Sequence, residues 1–233
     1  KIMRKQLLIF LIYFPLIGFA QQTYIPDDNF EQELINLGVD SILDDSVFTN
    51  NIKTIQVLEV DSLGIKDLTG IEGFSSLVEL DCSNNRIKKL YLTQNTSLLY
   101  LNCSYNKIKV LDTILNSKLS NLNCSNNKIK RLDLTQNTKL SKLNCSDNDL
   151  EALNLDQNTK LSKLDCSLNN IKILHVSYNT RITELKCNSN DLTNLDLRQN
   201  IYLTILDCSY NKLSFIDINN NVNLKIFACS NNK

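Results

Sequence analysis

The sequence predicts a solenoid of stacked 21-residue coils, with parallel β-strands, few helices in the repeats and a short helical cap at the N-terminal end. Three observations predict it. All eight cysteines stand at one spacing, apolar residues recur around them in a fixed pattern, and neither Gly nor Pro occurs after residue 73. The cysteines are Cys82, Cys103, Cys124, Cys145, Cys166, Cys187, Cys208 and Cys229, each 21 residues from the next. Two residues before them stand Leu80, Leu101, Leu122, Leu143, Leu164, Leu185, Leu206 and Phe227. Three residues after them stand Asn85, Asn106, Asn127, Asn148, Asn169, Asn190, Asn211 and Asn232. An apolar pair at period two is a half-buried strand with both side chains inward. One coil cannot bury its own apolar row, so neighbours stack and close a continuous core.

The first half of each unit reads L-x-x-L-x-C-S-x-N-x-[IL], with Ile87, Ile108, Ile129, Leu150, Ile171, Leu192 and Leu213 closing it. This unit resembles the leucine-rich repeat, with Cys at its third apolar site. The second half echoes the first: Leu90-Tyr91-Leu92 leads to Asn95, Leu132-Asp133-Leu134 to Asn137, and Leu195-Asp196-Leu197 to Asn200. The resemblance is to the 21-residue bacterial class with an L-x-L element in both halves, and it implies two strand-like faces. Thr113 replaces one of these leucines, which predicts a local distortion in that coil. Because 160 residues run without Gly or Pro, asparagine is expected to make the turns, tolerating left-handed backbone best among the other residues. The Asn rows are also expected to turn inward and bond free backbone groups, Asn127 among them.

An earlier unit, Ile55, Leu58, Val60, Ile65 and Leu68, lies 22 residues before Leu77, Leu80, Cys82, Ile87 and Leu90, and its tail Leu68-Thr69-Gly70-Ile71-Glu72-Gly73-Phe74 resembles internalin-like repeats. Residues 24–54 read as the cover an open solenoid needs, with a capping box from Asp28 to Glu31 and a short amphipathic helix through Phe30, Leu34 and Leu37 ending at Gly38. Ile25-Pro26-Asp27-Asp28-Asn29-Phe30-Glu31 resembles the caps of secreted bacterial leucine-rich repeat proteins. Ahead of it, Met3-Arg4-Lys5, an apolar run from Leu7 to Phe19 and the small residues Gly18 and Ala20 have the order of a secretory signal. The run is shorter than the ~20 residues of a span. The expected organisation is therefore a signal peptide at 1–20, a cap at 21–54 and repeats at 55–233: one 22-residue unit, then 21-residue units, the last truncated. Lys1 and Ile2 precede the signal and Lys233 falls within a repeat, so a piece of a longer protein is expected.

Eight cysteines in an exported chain suggest disulfides, but stacked in-register side chains keep their Cβ atoms near the ~4.8 Å strand spacing, beyond disulfide reach. The ladder reads as eight free, packed thiols, and a linear row does not converge on zinc. The single histidine, His175, shares a face with Ser177 and Asp196, yet residues two apart on a strand stand ~7 Å from one another, too far for a nucleophile–base pair. No phosphate loop, dinucleotide fingerprint, metalloprotease motif or calcium loop occurs. No catalytic, cofactor or metal residue is expected.

What remains is surface. The outward strand residues Glu79, Tyr100, Lys142, Lys163 and Glu184 vary while the inward rows stay fixed, and with the aromatic anchors Tyr105 and Tyr210 they form the candidate ligand-binding face. A turn-side cluster of Arg86, Lys88, Lys89, Lys107, Lys109, Lys128, Lys130 and Arg131 is a candidate polyanion patch. Removing Lys1, Arg4 and Lys5 from 25 basic residues leaves 22 against 25 acidic, which excludes a generally basic nucleic-acid binder. The resemblance to internalin-like adhesins implies a secreted or surface-displayed, non-catalytic module for a protein or cell-surface ligand, without a cofactor; from the charge balance no nucleic acid is expected, and from the short apolar run no membrane span after signal cleavage. Two alternatives stand beside it: a glycan-binding module for anionic surface polysaccharide, and the targeting arm of an enzyme whose catalytic domain lies beyond residue 233.

Overall fold

The computed structural model describes residues 21–233, so the signal-peptide expectation for residues 1–20 lies outside the described residues. The chain begins with β1 (Gln22–Tyr24), α1 (Asp28–Asn36), β2 (Ser46–Phe48) and the short α2 (Thr49–Ile52), with β1 and β2 antiparallel. A single parallel sheet follows: β3 (Val57–Glu59), β4 (Glu79–Asp81), β5 (Tyr100–Asn102), β6 (Asn121–Asn123), β7 (Lys142–Asn144), β8 (Lys163–Asp165), β9 (Glu184–Lys186), β10 (Ile205–Asp207) and β11 (Ile226–Ala228). Strands pair strictly in chain order, so the fold is a leucine-rich repeat solenoid with one strand per coil. A lone 3-10 turn at Ile71–Gly73 is the only helical element after α2 among the described residues.

The α1 helix is capped one residue earlier than the capping-box expectation. Asp27 is the N-cap, its Oδ1 accepting from the Asn29 and Phe30 N–H groups. Glu31 does not reach back. It is buried and its Oε1 accepts from the Asp44 and Ser46 N–H groups, pinning the loop after the helix. The other oxygen of Asp27 accepts from Lys66 and Asp67 N–H, tying the cap to the first coil. Phe30 stacks on Phe74 with ring centroids 6.1 Å apart. Gly70, at φ 102°, lies under β1, where a Cβ would stand 2.6 Å from the Tyr24 carbonyl oxygen. Gly73 is crowded by the cap as well, a Cβ there standing 2.7 Å from Thr23 Oγ1.

Each coil then solves the same problem. Its strand turns a corner, and the corner leaves backbone N–H and C=O groups facing the interior, where unpaired groups cost free energy. Before the corner the N–H groups donate forward: Cys82 to Asn102 O and Asn84 to Ser104 O. After it, Arg86 donates backward to Ile65 O. A left-handed residue makes the reversal. It is Asn84, Tyr105, Asn126, Asp147, Leu168, Ser189, Tyr210 or Asn231, all with φ between 52° and 56°. Only three of these eight are Asn, so the expectation that asparagine makes these turns holds only in part. The cost of a bulky side chain there, roughly 1–2 kcal/mol, is carried by the ladder on both sides.

The recurrent asparagines are instead plugs. Asn127 Nδ2 donates to the carbonyls of Cys103 in the previous coil and of Cys124 and Ser125 in its own, while its Oδ1 accepts from Ile108 N–H at 2.9 Å. The same pattern recurs at Asn106, Asn148, Asn169, Asn190 and Asn211. A second ladder plugs the opposite corner: Asn158 Nδ2 reaches the Leu134 and Asn137 carbonyls, and Asn179 those of Leu155 and Asn158.

Two expectations from the repeat's second half fail. That half forms no named strand, and among the described residues its only pairings are the isolated bridges Leu90–Leu111 and Leu153–Leu174. Nor does Thr113 distort its coil. It is buried where Leu92 and Leu134 stand, and Asn116 bonds the Leu92 and Asn95 carbonyls as its counterparts do. Its hydroxyl also meets Asn137 Oδ1 at 3.0 Å, an atom whose equivalents in Asn95, Asn158, Asn179, Asn200 and Asn221 have no protein partner.

Asn127→Ala removes three donor bonds and strands the Ile108 N–H, so a loss of about 2–3 kcal/mol of unfolding free energy is expected. Chemical denaturation checks this, and a midpoint equal to that of the unmodified chain contradicts the plug.

Candidate binding faces

Parallel register lines up one outward residue per coil: Glu79, Tyr100, Asn121, Lys142, Lys163, Glu184 and Ile205. Between β5 and β9 this face holds an open groove of about 420 Å³, lined by Tyr100, Lys142, Lys163, Glu184 and Lys186 among others. Four of the sequence-predicted face residues thus come together. Glu79 lines a separate hollow of about 240 Å³ beside Tyr100, with Glu59 and Asp81.

At the far end of the groove Glu184 bonds both Lys163 and Lys186, each at 3.1 Å. The Lys163 hydrogen bond, then Lys186, hold the Glu184 carboxyl below its ordinary range against partial desolvation. Glu184 in turn holds the Lys186 ammonium above its own. At the near end partial burial, then the charges of Asp81 and Glu79, push the Tyr100 phenol up, so it stays a neutral hydroxyl.

The next outward row was not separated by sequence reasoning into structural and free positions. Asp81, Asn102, Asn123, Asn144, Asp165 and Asp207 each accept from the N–H and hydroxyl of the Ser two residues on, as in Asp165 with Ser167. These side chains brace the corner. The signal was present as a recurrent [DN]-C-S triplet. One coil breaks it at both members, carrying Lys186 and Asn188, and there Lys186 turns to Glu184 instead.

Tyr105 and Tyr210 do not join the groove. Both occupy left-handed corners, 57% and 59% exposed, and lie five coils or ~24 Å apart. On the other side of the coils, Lys88, Lys89, Lys107, Lys109 and Lys128 line a hollow of about 820 Å³, while Arg86, Lys130 and Arg131 stand outside it.

His175 lines a small pocket with Ser177 and Asp196. Asp196, however, is engaged by Arg198, whose Nη2 stands 2.6 Å from Oδ2, and this contact lowers the Asp196 carboxyl to about 2. The acid that would orient the imidazole is therefore committed elsewhere. Among the described residues no group of three or more His, Cys, Asp or Glu is placed to hold a metal ion. No described helix is long and apolar enough to cross a membrane.

All eight cysteines are free, seven of them buried and Cys229 exposed in the last coil. Burial pushes the thiols of the seven buried ones up, Cys124 to about 12. This ladder is shared. A solved domain of internalin J from Listeria monocytogenes, which includes a cysteine ladder, matches with 38% identity and a TM-score of 0.74 over 91% of this chain and 53% of that one. Internalin J of L. monocytogenes serotype 4b is 39% identical over 73 residues, 31% of this chain and 8% of that protein. The chain is homologous to the internalin leucine-rich repeats. It spans about half of the solved internalin J domain and a small part of the whole protein. Internalin C2 of L. monocytogenes shares the fold, with a TM-score of 0.82 and 21% identity over 90% of this chain and 98% of that one. So does the ectodomain of the Arabidopsis thaliana receptor kinase GASSHO1/SCHENGEN3, solved with Casparian strip integrity factor 2 (TM-score 0.71, 20% identity, 79% and 25% covered). No family model matches the chain.

Two outcomes test these placements in the internalin-like chain. An unfolded thiol ionises near 9 and the buried ones far higher, so the folded state binds more protons above pH 9. Unfolding free energy should hold below pH 9 and fall from there towards pH 12, by up to about 1.4 kcal/mol per pH unit per thiol. Cys124→Ala should reduce that slope in alkaline denaturation series, and an unchanged slope contradicts the cause. Separately, Tyr105→Asn should stabilise the chain by up to about 1 kcal/mol by relieving the left-handed corner, and a thermal melt showing destabilisation would mean that the ring packs favourably.

Proposed function

We propose that this internalin-like chain is a non-catalytic binding module that meets a protein ligand on its sheet face, outside the cell. The observation that carries the reading is the groove across β5–β9, where Tyr100 at one end and the Lys163–Glu184–Lys186 network at the other stand on a rigid ladder. A neutral aromatic hydroxyl beside paired charges of both signs suits a mixed polar and apolar protein surface. The homology to internalins supports an interaction or adhesion-type module. The receptor-kinase ectodomain of like fold, solved in complex with Casparian strip integrity factor 2, supports a partner of this class. Export rests on the basic, apolar and small-residue order of residues 3–20.

The test uses beads coated with the protein, applied to intact animal cells and to the same cells shaved with trypsin. Retention is expected on intact cells, to fall on shaved ones, and to drop about tenfold when Tyr100→Ala, Lys163→Glu and Glu184→Ala are combined, the scale of a small hot-spot cluster. Retention unchanged by those substitutions sinks the sheet-face reading, and retention unchanged by trypsin sinks a protein ligand.

A further inference from the structure

The side of the coils opposite the sheet carries a second, chemically different surface. Eight cations stand on three consecutive coils: Arg86, Lys88 and Lys89, then Lys107 and Lys109, then Lys128, Lys130 and Arg131. All are exposed, and none belongs to any of the four ion pairs formed among the described residues. Other basic residues of the chain do find acids, as Lys163, Lys186, Arg198 and Lys212 show. The next coil reverses sign, with Asp149 and Glu151 at the positions of Lys128 and Lys130. The positive field is therefore bounded rather than spread along the solenoid.

Within this field lies the hollow of about 820 Å³, larger than the sheet-face groove. Its rim is lysine, with Asp112 the one carboxylate, whose Oδ1 already accepts from Ile114 N–H. Its wall carries Tyr91 and Val110, 61% and 74% exposed, beside the stems of Lys88 and Lys109. A solvated basic face does not need an open aromatic ring at its centre, and an apolar protein contact does not need five unpaired ammonium groups around it. Together they suit a ligand with anionic groups on a body that has apolar faces of its own.

We propose that this hollow binds a linear anionic polysaccharide, its carboxylate or sulfate groups meeting the lysine rows and a sugar ring lying on Tyr91. The rows Arg86–Lys107–Lys128 and Lys88–Lys109–Lys130 repeat once per coil, at the ~4.8 Å spacing of paired strands. A linked pyranose ring is about one coil step long, so a chain charged at every ring keeps pace with the rows. An extended acidic peptide advances ~3.3 Å per residue and ~6.6 Å between side chains of one face, and neither step matches the coil spacing. Ring C–H groups supply the apolar contact that Tyr91 offers, whereas a bare acidic side chain does not. This site is independent of the sheet-face reading and shares no residue with its groove.

The experiment measures retention of the whole chain on immobilised polygalacturonate, with neutral dextran and poly-glutamate beside it, over a series of salt concentrations. Binding to polygalacturonate that weakens with salt is expected, with no retention on dextran. Lys88→Gln, Lys107→Gln and Lys109→Gln together should weaken it about tenfold, the scale of three exposed charge contacts. Lys118→Gln, Lys139→Gln and Lys160→Gln, an equal charge change in the corner before the strands, should leave it intact. Tyr91→Ala should cost about threefold on polygalacturonate, the scale of one aromatic contact, with the salt dependence kept. Equal losses from the two lysine triples, or no retention at low salt, overturn the proposal. Poly-glutamate held as tightly as polygalacturonate and insensitive to Tyr91→Ala assigns the hollow to an acidic protein segment instead and equally overturns it. None of these outcomes bears on the trypsin-sensitive retention assigned to the sheet face.

Discussion

The coil corner is the constraint from which the rest of the structure follows. A 21-residue coil without glycine must reverse its hydrogen-bonding direction twice, and each reversal turns carbonyls and N–H groups into a space closed to water. One asparagine amide meets the carbonyls at each corner through its Nδ2, and at the first corner its Oδ1 also accepts from a backbone N–H. At the first corner its amide spans two coils, so that the Cys103 carbonyl accepts from both Asn106 and Asn127. The plug of one coil thereby completes the backbone of the coil before it. Stability becomes a property of neighbouring pairs, and no coil is complete alone.

The cysteine ladder follows from the same corner. The residue whose carbonyl receives two asparagine amides lies at the end of the strand, against the inward Leu row, where cysteine is a small apolar side chain with no need of a partner. Desolvation pushes its thiol up, to about 12 at Cys124, so that it stays protonated at neutral pH. The row is an element of packing, and the strand spacing that holds it together keeps it from cross-linking.

Corners also decide which surface is free. On the sheet side every second outward residue is recruited to brace the following Ser, so chemistry varies along one row only, and the coil with Lys186 escapes by changing both members of the brace. On the opposite side the chain makes almost no ladder, and its side chains spread over open loops. A laddered face with paired charges and an almost unladdered face with unpaired cations arise from one repeat. Their electrostatics differ, with paired charges of both signs along the groove at the sheet and lysine rows around the hollow behind it.

How far this was legible in the sequence depends on the range of each interaction. The 21-residue period, the inward Leu and Cys rows, the single offset of 22 and the inward asparagines were all determined by the sequence, because a repeat forces equivalent residues into equivalent surroundings. The candidate face was visible for the same reason, as a varying row beside constant ones. What depended on three-dimensional neighbours was not. Glu31 looked like a capping partner until the loop at Asp44–Ser46 claimed it, and the L-x-L of the second half looked like a strand although it forms no more than isolated bridges. Thr113 looked like a defect, yet its hydroxyl found an amide 24 residues away. Tyr105 and Tyr210 looked like members of the face, but the left-handed corner aims them elsewhere. In each case the period placed the residue, and only the tertiary structure decided which neighbouring polar group its side chain would meet.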